Sequence, residues 1–394
     1  MTTRTLRLIL FGSTGSIGCQ TLSVLDHLRA TGWNVELAAI TAGHDSERFR
    51  AQIRQQNPEC IGVAVQEDGR HLCAAFPDLP VHAGADALAE LASRKDVDLV
   101  FNAIVGAAGL PITWAALRRG HRLALANKES LAIAGQTLRS LLSEHHGEIL
   151  SIDSEHHALH QCLEGRSIED VSRLLITASG GPFRGKSADV LWEATPEQAL
   201  AHPTWTMGKR ITVDSATLVN KAFEVIGAHT LYGVGYDKIQ VLIHPQSLVH
   251  SMVEFADGST LAELGPRDMR IPIQHALIHP ERLSSGLQPL CWENGISLAF
   301  EPLQAGQFPA FETVLSAAKA GEGALAAVNA ADEVLIDRFL AQEIRFPEIA
   351  LGLQAILDHW RSEAHKTDVP ATLTALLAAD DWGRHLAMSM DLQS

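Results

Sequence analysis

The sequence predicts an α/β chain: an N-terminal Rossmann-like doubly wound sheet, a central α/β catalytic domain and a C-terminal α-helical bundle. Three observations predict it. A glycine loop, G-S-T-G-S-I-G from Gly12 to Gly18, sits between an apolar strand-like run and an apolar-periodic stretch. Strand-like and helical runs then alternate, as a parallel sheet with helical crossovers requires. From about Ala310 onward the chain is rich in Ala and Leu with helical periodicity.

Taken in order, residues 7–11 (R-L-I-L-F) read as a short buried strand, and residues 17–28 as the helix that follows the glycine loop. Further strand-like runs fall at 35–41, 60–65 and 98–104, with helical stretches at 46–55 and 85–93 between them. Past about Ile149 the texture changes. S-I-D-S-E-H, L-L-I-T-A-S-G-G-P, R-I-T-V-D-S and K-I-Q-V-L-I-H-P place polar groups just after short strands, a position that usually builds a site. Helices are expected at 314–320, 325–340, 349–360 and 371–379, with no chemistry visible in them. The resulting division is a nucleotide-binding domain over 1–150, a catalytic domain over 151–290, a linker over 291–310 and a helical domain over 311–394, in line with about 150 residues per domain.

Composition excludes several classes. With 46 acidic against 31 basic residues the net charge is -15, which argues against a nucleic-acid or anionic-membrane binder. The excess is uneven: residues 292–394 hold 15 acidic and 6 basic side chains, whereas 101–150 hold 3 and 5. Phosphate ligands are therefore compatible with the central part of the chain. The five cysteines form no C-x-x-C pair and no close-spaced framework, which suits a reducing cytosol. Arg7 interrupts the apolar N-terminal stretch and a glycine loop follows at once, unlike a signal peptide. No segment approaches the roughly 18 apolar residues of a membrane span. A cytoplasmic protein is expected.

The loop at Gly12, Gly15 and Gly18 lets backbone N–H groups and a helix N-terminus face a pyrophosphate, so a dinucleotide is the favoured ligand. The bland alternative is a tight turn holding nothing. After the second strand, Gly43, His44 and Asp45 lie where such folds read the adenine ribose. An acidic residue there favours a free 2′-hydroxyl, while His44, Ser46 and Arg48 are placed to meet a 2′-phosphate, and both readings stay open. Asp153 and Glu155 are one residue apart at a strand end, so extended backbone points both carboxylates to one face, as Mg²⁺ or Mn²⁺ prefers. Glu224 is a third candidate, four residues from Asn220 on one helix face. In E-H-H-A-L-H the order fits no zinc motif, so His156, His157 and His160 read as packing residues. Lys128 follows a strand-like H-R-L-A-L-A, at the carboxyl edge where such folds bind ligands. Ser179, Ser215, Asn220 and Lys221 supply the donors a phosphomonoester needs. Pro203, Trp205, Met207 and Gly208 read as a loop whose aromatic covers a site, or as a loop anchored by a buried Trp.

Together these segments resemble the 1-deoxy-D-xylulose 5-phosphate reductoisomerase family. The matching runs are G-S-T-G-S-I-G, N-K-E-S, I-D-S-E-H, T-A-S-G-G-P-F, H-P-T-W-T-M-G-K-R-I-T-V-D-S-A-T-L-V-N-K-A-F-E and H-P-Q-S-L-V-H, in family order from residue 12 to about 250. The resemblance implies that Asp153, Glu155 and Glu224 hold a divalent metal, Mg²⁺ or Mn²⁺. Lys128 and Ser154 would meet the substrate near it. It implies that Ser179, His202, Ser215, Asn220 and Lys221 bind the phosphate and sugar-chain end, with Lys128, Glu155, His202 and Glu224 as the catalytic set. Thr14, Gly15, Ser16, Ile17, Gly43, His44, Asp45, Asn127, Glu129 and Gly208 would contact NADPH, with Trp205 and Met207 in a lid. A homodimer is implied too. Two departures stand out: His44-Asp45 replaces a basic residue followed by Asn, and G-P-R-D-M (265–269) replaces G-x-P-D-M.

The implied reaction is a metal-dependent rearrangement of a hydroxyketone sugar phosphate, then hydride transfer from NADPH to the resulting aldehyde, giving 2-C-methyl-D-erythritol 4-phosphate. A semialdehyde or homoserine-type dehydrogenase is the rival enzyme, but it does not need three carboxylates. A dinucleotide-sensing regulatory module, the rival from another class, leaves the phosphate cluster without a role.

Overall fold

In the computed structural model, residues 4–363 and 372–392 are described. The chain divides into two compact units. The first comprises Met1–Ser130, Leu138–Ser154 and Asp268–Leu287, and the second comprises Leu131–Thr137, Glu155–Arg267 and Gln288–Ser394. Each unit is thus assembled from several stretches of chain.

The first unit is built on seven strands: β1 (Thr5–Phe11), β2 (Asn34–Ala42), β3 (Cys60–Val63), β4 (Val81–Ala83), β5 (Leu99–Asn102), β6 (Arg122–Leu125) and β7 (Glu148–Ser151). Their order is β4-β3-β2-β1-β5-β6-β7, and every pairing is parallel. The strand order reverses direction at β1, flanked by β2 and β5, so the glycine loop after β1 opens at a topological switch point. A parallel sheet covered on both faces needs near-continuous apolar strands. Leu8, Ile9, Leu10 and Phe11 are accordingly all fully buried. The return segment contributes the Arg270–Ile278 helix, whose Ile273, Ala276, Leu277 and Ile278 join the same core as Leu25 and Leu28 of the Ser16–Ala30 helix.

The second unit carries a mixed sheet of β8 (Val171–Ala178), β9 (Ile239–Ile243), β10 (Val249–Phe255), β11 (Thr260–Leu264) and β12 (Glu301–Pro302). Its order is β11-β10-β8-β9-β12, with β8 and β9 parallel and the other neighbours antiparallel. Helices Pro309–Ala320, Glu322–Leu340, Phe346–Ser362 and Leu373–Ser389 follow, matching the expected helical region. Ala371, where the last helix was expected to begin, lies outside the described residues. Small residues set the spacing here. A Cβ on Gly383 would lie 2.2 Å from the Ala327 carbonyl oxygen, so the Leu373–Ser389 helix docks backbone-close on Glu322–Leu340. Among the described residues no helix is long and apolar enough to cross a membrane.

Two local expectations are corrected. R-I-T-V-D-S, read as strand, lies in the Lys209–Thr217 helix, where Thr212, Val213, Asp214, Ala216 and Thr217 are buried. Burial of one face overrides the β preference of Ile, Thr and Val. The D-x-E pair is not extended: β7 ends at Ser151 and a helix begins at Ser154, so Glu155 is already helical while Asp153 precedes the helix.

Candidate active site

In the first unit the glycine loop divides its labour. Gly12 has φ +78°, and a Cβ there would meet the Ala103 carbonyl oxygen at 2.7 Å, so it makes the turn. A Cβ on Gly18 would fall 2.2 Å from the Gly12 oxygen, so it lets the helix pack on the loop. Gly15 is exposed and is the N-cap of Ser16–Ala30, with no side chain capping that helix. Backbone N–H groups of the first turn therefore face outward beside Thr14, Ser16 and Ile17, the arrangement that accepts phosphate. Buried Ser13 and Gln52 hold the loop in place through two 2.8 Å hydrogen bonds.

Beyond β2, His44 is exposed and its Nδ1 lies 3.4 Å from Asp68. The Asp45 carboxylate accepts two hydrogen bonds from Arg50, at 2.8 and 2.6 Å, and this contact holds its pKa below the usual carboxylate range. Arg48 donates to the Thr14 carbonyl at 3.2 Å, which puts a guanidinium at the glycine loop. Arg48 is among the residues expected beside the segment after β2, whereas Arg50, which holds Asp45, is not.

Asn127 and Glu129 are both buried and knit the loop after β5. Asn127 Nδ2 donates to the Ile104 and Gly106 carbonyls at 2.7 and 2.9 Å, and Glu129 Oε1 accepts from the Gly106 N–H at 3.1 Å. Lys128, first residue of the Lys128–Ile133 helix, donates to Asp153 at 3.0 Å, with both side chains about nine-tenths buried. Asp153 and Ser154 end the second stretch of this unit.

In the second unit, Leu218 at φ +59° ends one helix and caps the next, Val219–Tyr232, which starts afresh with Asn220, Lys221 and Glu224 on its first turns. Glu155 and Glu224 each bring a carboxylate oxygen within 4.8 Å of the other. The Lys221 ammonium donates to Glu155 at 2.8 Å and also to Glu224, while Asn220 Nδ2 donates to Glu224 Oε1. Burial alone would lower the Lys221 pKa, but the two carboxylates outweigh it and hold the ammonium protonated. Two facing carboxylates around a buried cation are a hard-oxygen donor set that fits Mg²⁺ or Mn²⁺. His156 packs against the same helix: its Nε2 hydrogen-bonds the Glu224 carbonyl at 2.7 Å, and a Cβ on Gly227 would strike its ring.

Ser179 sits just past β8, followed by Gly180 and Gly181 at φ +85° and +67°. A Cβ on Gly181 would lie 2.8 Å from the Ser215 carbonyl oxygen, so this turn is pressed against the helix that presents Ser215. His202 Nε2 is 3.0 Å from Ser179 Oγ, and its Nδ1 accepts from the Thr204 and Trp205 N–H groups at 3.2 and 3.0 Å. Trp205 is half-buried, with its ring 6.2 Å from that of His250, and Gly208 caps the Lys209–Thr217 helix. Ser179, His202 and Ser215 are thus gathered at one edge, and Glu155, Asn220, Lys221 and Glu224 in one cluster.

Pattern reading missed an ionic network inside the helical region. Arg210 pairs with Glu333 at 2.8 Å and approaches Asp214 and Asp332, while Arg384 pairs with Glu333 and Asp380. Its trace in the sequence is Asn329, Asp332 and Glu333 interrupting an otherwise apolar run.

Sequence models of 1-deoxy-D-xylulose 5-phosphate reductoisomerase match residues 8–135 and, for its C-terminal domain, 149–232, and a DXP reductoisomerase C-terminal domain matches 264–386. The 1-deoxy-D-xylulose 5-phosphate reductoisomerase of Chlorobium chlorochromatii is 43% identical over 384 residues, 96% of this chain and 98% of its own length. That of Rhodococcus jostii is 45% identical over 390 residues, covering 98% and 94%. The chain belongs to the 1-deoxy-D-xylulose 5-phosphate reductoisomerase family. Solved reductoisomerases share the fold: one in complex with NADPH, fosmidomycin and magnesium superimposes with TM-score 0.91 at 36% identity, covering 98% of each chain. Another, from Zymomonas mobilis with NADPH, gives 0.88 at 36% identity over 100% of each.

Proposed function

We propose that this chain converts 1-deoxy-D-xylulose 5-phosphate to 2-C-methyl-D-erythritol 4-phosphate with NADPH and Mg²⁺ or Mn²⁺, a step of non-mevalonate isoprenoid precursor synthesis. The observation that carries it is the pair Glu155 and Glu224 facing each other across buried Lys221, in a chain matched along nearly its whole length by reductoisomerases. A metal-independent dehydrogenase or a sensing module leaves that pair without a purpose.

Asp153, Glu155 and Glu224 would hold the metal. When bound, it would supply Lewis-acid polarisation of the substrate's adjacent oxygens, and NADPH would supply the hydride. The rearrangement moves carbon with no change in oxidation level, and reduction then adds hydride and a proton to the aldehyde. Lys128, held by Asp153, offers a fixed positive charge and a proton at Nζ where oxyanion charge develops. Ser154 would orient the substrate beside it. Ser179, Ser215, Asn220 and Lys221 would grip the phosphate and chain end by charge-assisted hydrogen bonds, with His202 acting through Ser179. Thr14, Gly15, Ser16 and Ile17 would receive the pyrophosphate, and Gly43, His44 and Asp45 would border the ribose. Asn127, Glu129 and Gly208 would frame the nicotinamide end. Trp205 and Met207 would exclude water from the reactive aldehyde.

The five cysteines, all unpaired, fit a reducing cytoplasm. Exposed Trp292, Leu298 and Phe300 offer apolar surface to a second copy in a homodimer. The test is NADPH oxidation on addition of 1-deoxy-D-xylulose 5-phosphate. It is expected only with Mg²⁺ or Mn²⁺, and activity surviving chelation would defeat the carboxylate site. Glu224→Gln should cut turnover by at least about 100-fold, since losing a ligand exceeds the 10–100-fold cost of losing an outer-shell partner. NADPH binding should stay nearly intact.

A further inference from the structure

We propose that His202 is a positioning residue rather than a proton-transfer group: a neutral imidazole that passes hydrogen-bond direction from the Thr204–Trp205 turn to the Ser179 hydroxyl. The inference rests on the reading of Ser179 as a phosphate contact. Backbone N–H groups only donate, and two of them, from Thr204 and Trp205, point at His202 Nδ1. That nitrogen therefore carries its lone pair, and the ring proton sits on Nε2. Nε2–H then donates to Ser179 Oγ at 3.0 Å. The Gly181 N–H donates to the same oxygen at 3.1 Å. With both acceptor positions of Ser179 taken, its hydroxyl hydrogen is left to donate outward.

Ser179 thus becomes an obligate donor, suited to an ionised phosphate oxygen and unsuited to a donor group. The relay also makes the ring's occupation one-way. A proton on Nδ1 would face two N–H groups, so accepting one would break both bonds that hold the turn beneath Trp205. Burial first, and the Lys221 charge second, push the His202 pKa down, which keeps the ring neutral in this role. A general base here would need a bare Nε2 facing the substrate, and Nε2 instead donates to Ser179. The phosphate contact and the loop that covers the site are in this way joined through one ring.

The direct experiment is nitrogen NMR of the full-length protein with labelled histidine, assigned by comparison with His202→Gln. A signal from Nε2–H with bare Nδ1 from about pH 6 to about pH 8 is expected. The opposite tautomer, or an imidazolium in that range, would overturn the proposal without any variant having to fold. Two variants then separate the ends of the relay. His202→Asn keeps an acceptor near the Nδ1 position and loses the donor to Ser179. Its affinity for inorganic phosphate should fall roughly 10-fold, as loss of one hydrogen bond to a charged group implies. His202→Gln keeps a donor near Nε2, so phosphate affinity should stay within about threefold of the parent while Trp205 fluorescence shows the loosened turn. In a double-mutant cycle with Ser179→Ala, the two losses of phosphate affinity should be non-additive. Additive losses would overturn the relay alone, whereas unchanged phosphate affinity in Ser179→Ala would overturn the phosphate assignment with it. The pH–rate profiles of both His202 variants should keep both limbs, and disappearance of one would make His202 the acid or base after all.

Discussion

Asp332→Asn should make the protein progressively more stable than its parent as pH rises. Asp332 is fully buried on the Glu322–Leu340 helix, and burial, then the neighbouring Asp214 carboxylate, raise its pKa well above the ordinary value of 3.8, although Arg210 pulls the other way. With the Asp214 charge beside it and both side chains buried away from solvent screening, ionising both carboxylates is disfavoured and a proton is retained on Asp332. The folded state therefore binds a proton that the unfolded chain releases above about pH 4. The stability this proton carries is complete below the unfolded pKa and is lost as pH climbs toward the folded one. Across that window the loss runs at about 1.4 kcal/mol per pH unit for one proton. Asparagine keeps a donor toward Asp214 and has nothing to titrate, so the variant should lack the slope. The assay is urea unfolding at several pH values, read from tryptophan fluorescence. The Trp360–Trp382 pair, with ring centroids 5.4 Å apart, reports from the same unit. A constant stability difference between variant and parent from about pH 5 to about pH 8 would refute the argument, since it would mean that no proton is held.

Lys221→Met should destabilise the second unit by about 3–5 kcal/mol, because it strands Glu155 and Glu224 without their buried ammonium. Adding Mn²⁺ should restore much of that loss, measured as a rise in melting temperature larger than the parent's. Asp45→Asn should release Arg50 and remove a negative charge beside the adenine ribose, favouring a 2′-phosphate by about 1 kcal/mol. Side-by-side NADPH and NADH titrations should then show the preference for NADPH growing roughly fivefold.

Most of the fold could be read from the chain because its signals are local. The strand, glycine loop and helix from Thr5 to Ala30 are fixed by periodicity and by Gly12 and Gly18, where a Cβ would collide with backbone. The polar residues after β8 and on the Val219–Tyr232 helix were visible for a similar reason, since donors and carboxylates cluster within a few positions of one another. What escaped is long-range. Arg210 lies more than a hundred residues from Asp332 and Glu333, and nothing in R-I-T-V-D-S marks it as the partner of an Ala-rich helix. The same segment was misread as strand because its β-branched residues are a weak guide once one face is buried. Asp45 stands by position where such folds read the ribose, but its bidentate partner Arg50, in the helix that follows, changes what it presents.

Charge explains why the proposed centre can both fold and bind. Each unit compensates its own acids: Lys128 neutralises Asp153 in the first, and Lys221 sits between Glu155 and Glu224 in the second. A buried carboxylate left alone would shift its pKa or destabilise the fold, so a lysine partner lets these acids remain ionised, as ligands must be. Within the second unit, the two carboxylates and the one ammonium leave a single negative charge. A divalent cation would reverse that sign, and the set that repels a phosphorylated substrate on its own would then attract it. Binding of metal and of sugar phosphate should therefore be mutually reinforcing, by an amount that is the same whichever is added first. Calorimetric titration of Mn²⁺ with and without inorganic phosphate measures that amount. Equal Mn²⁺ affinities in the two titrations would separate the carboxylates from the phosphate site.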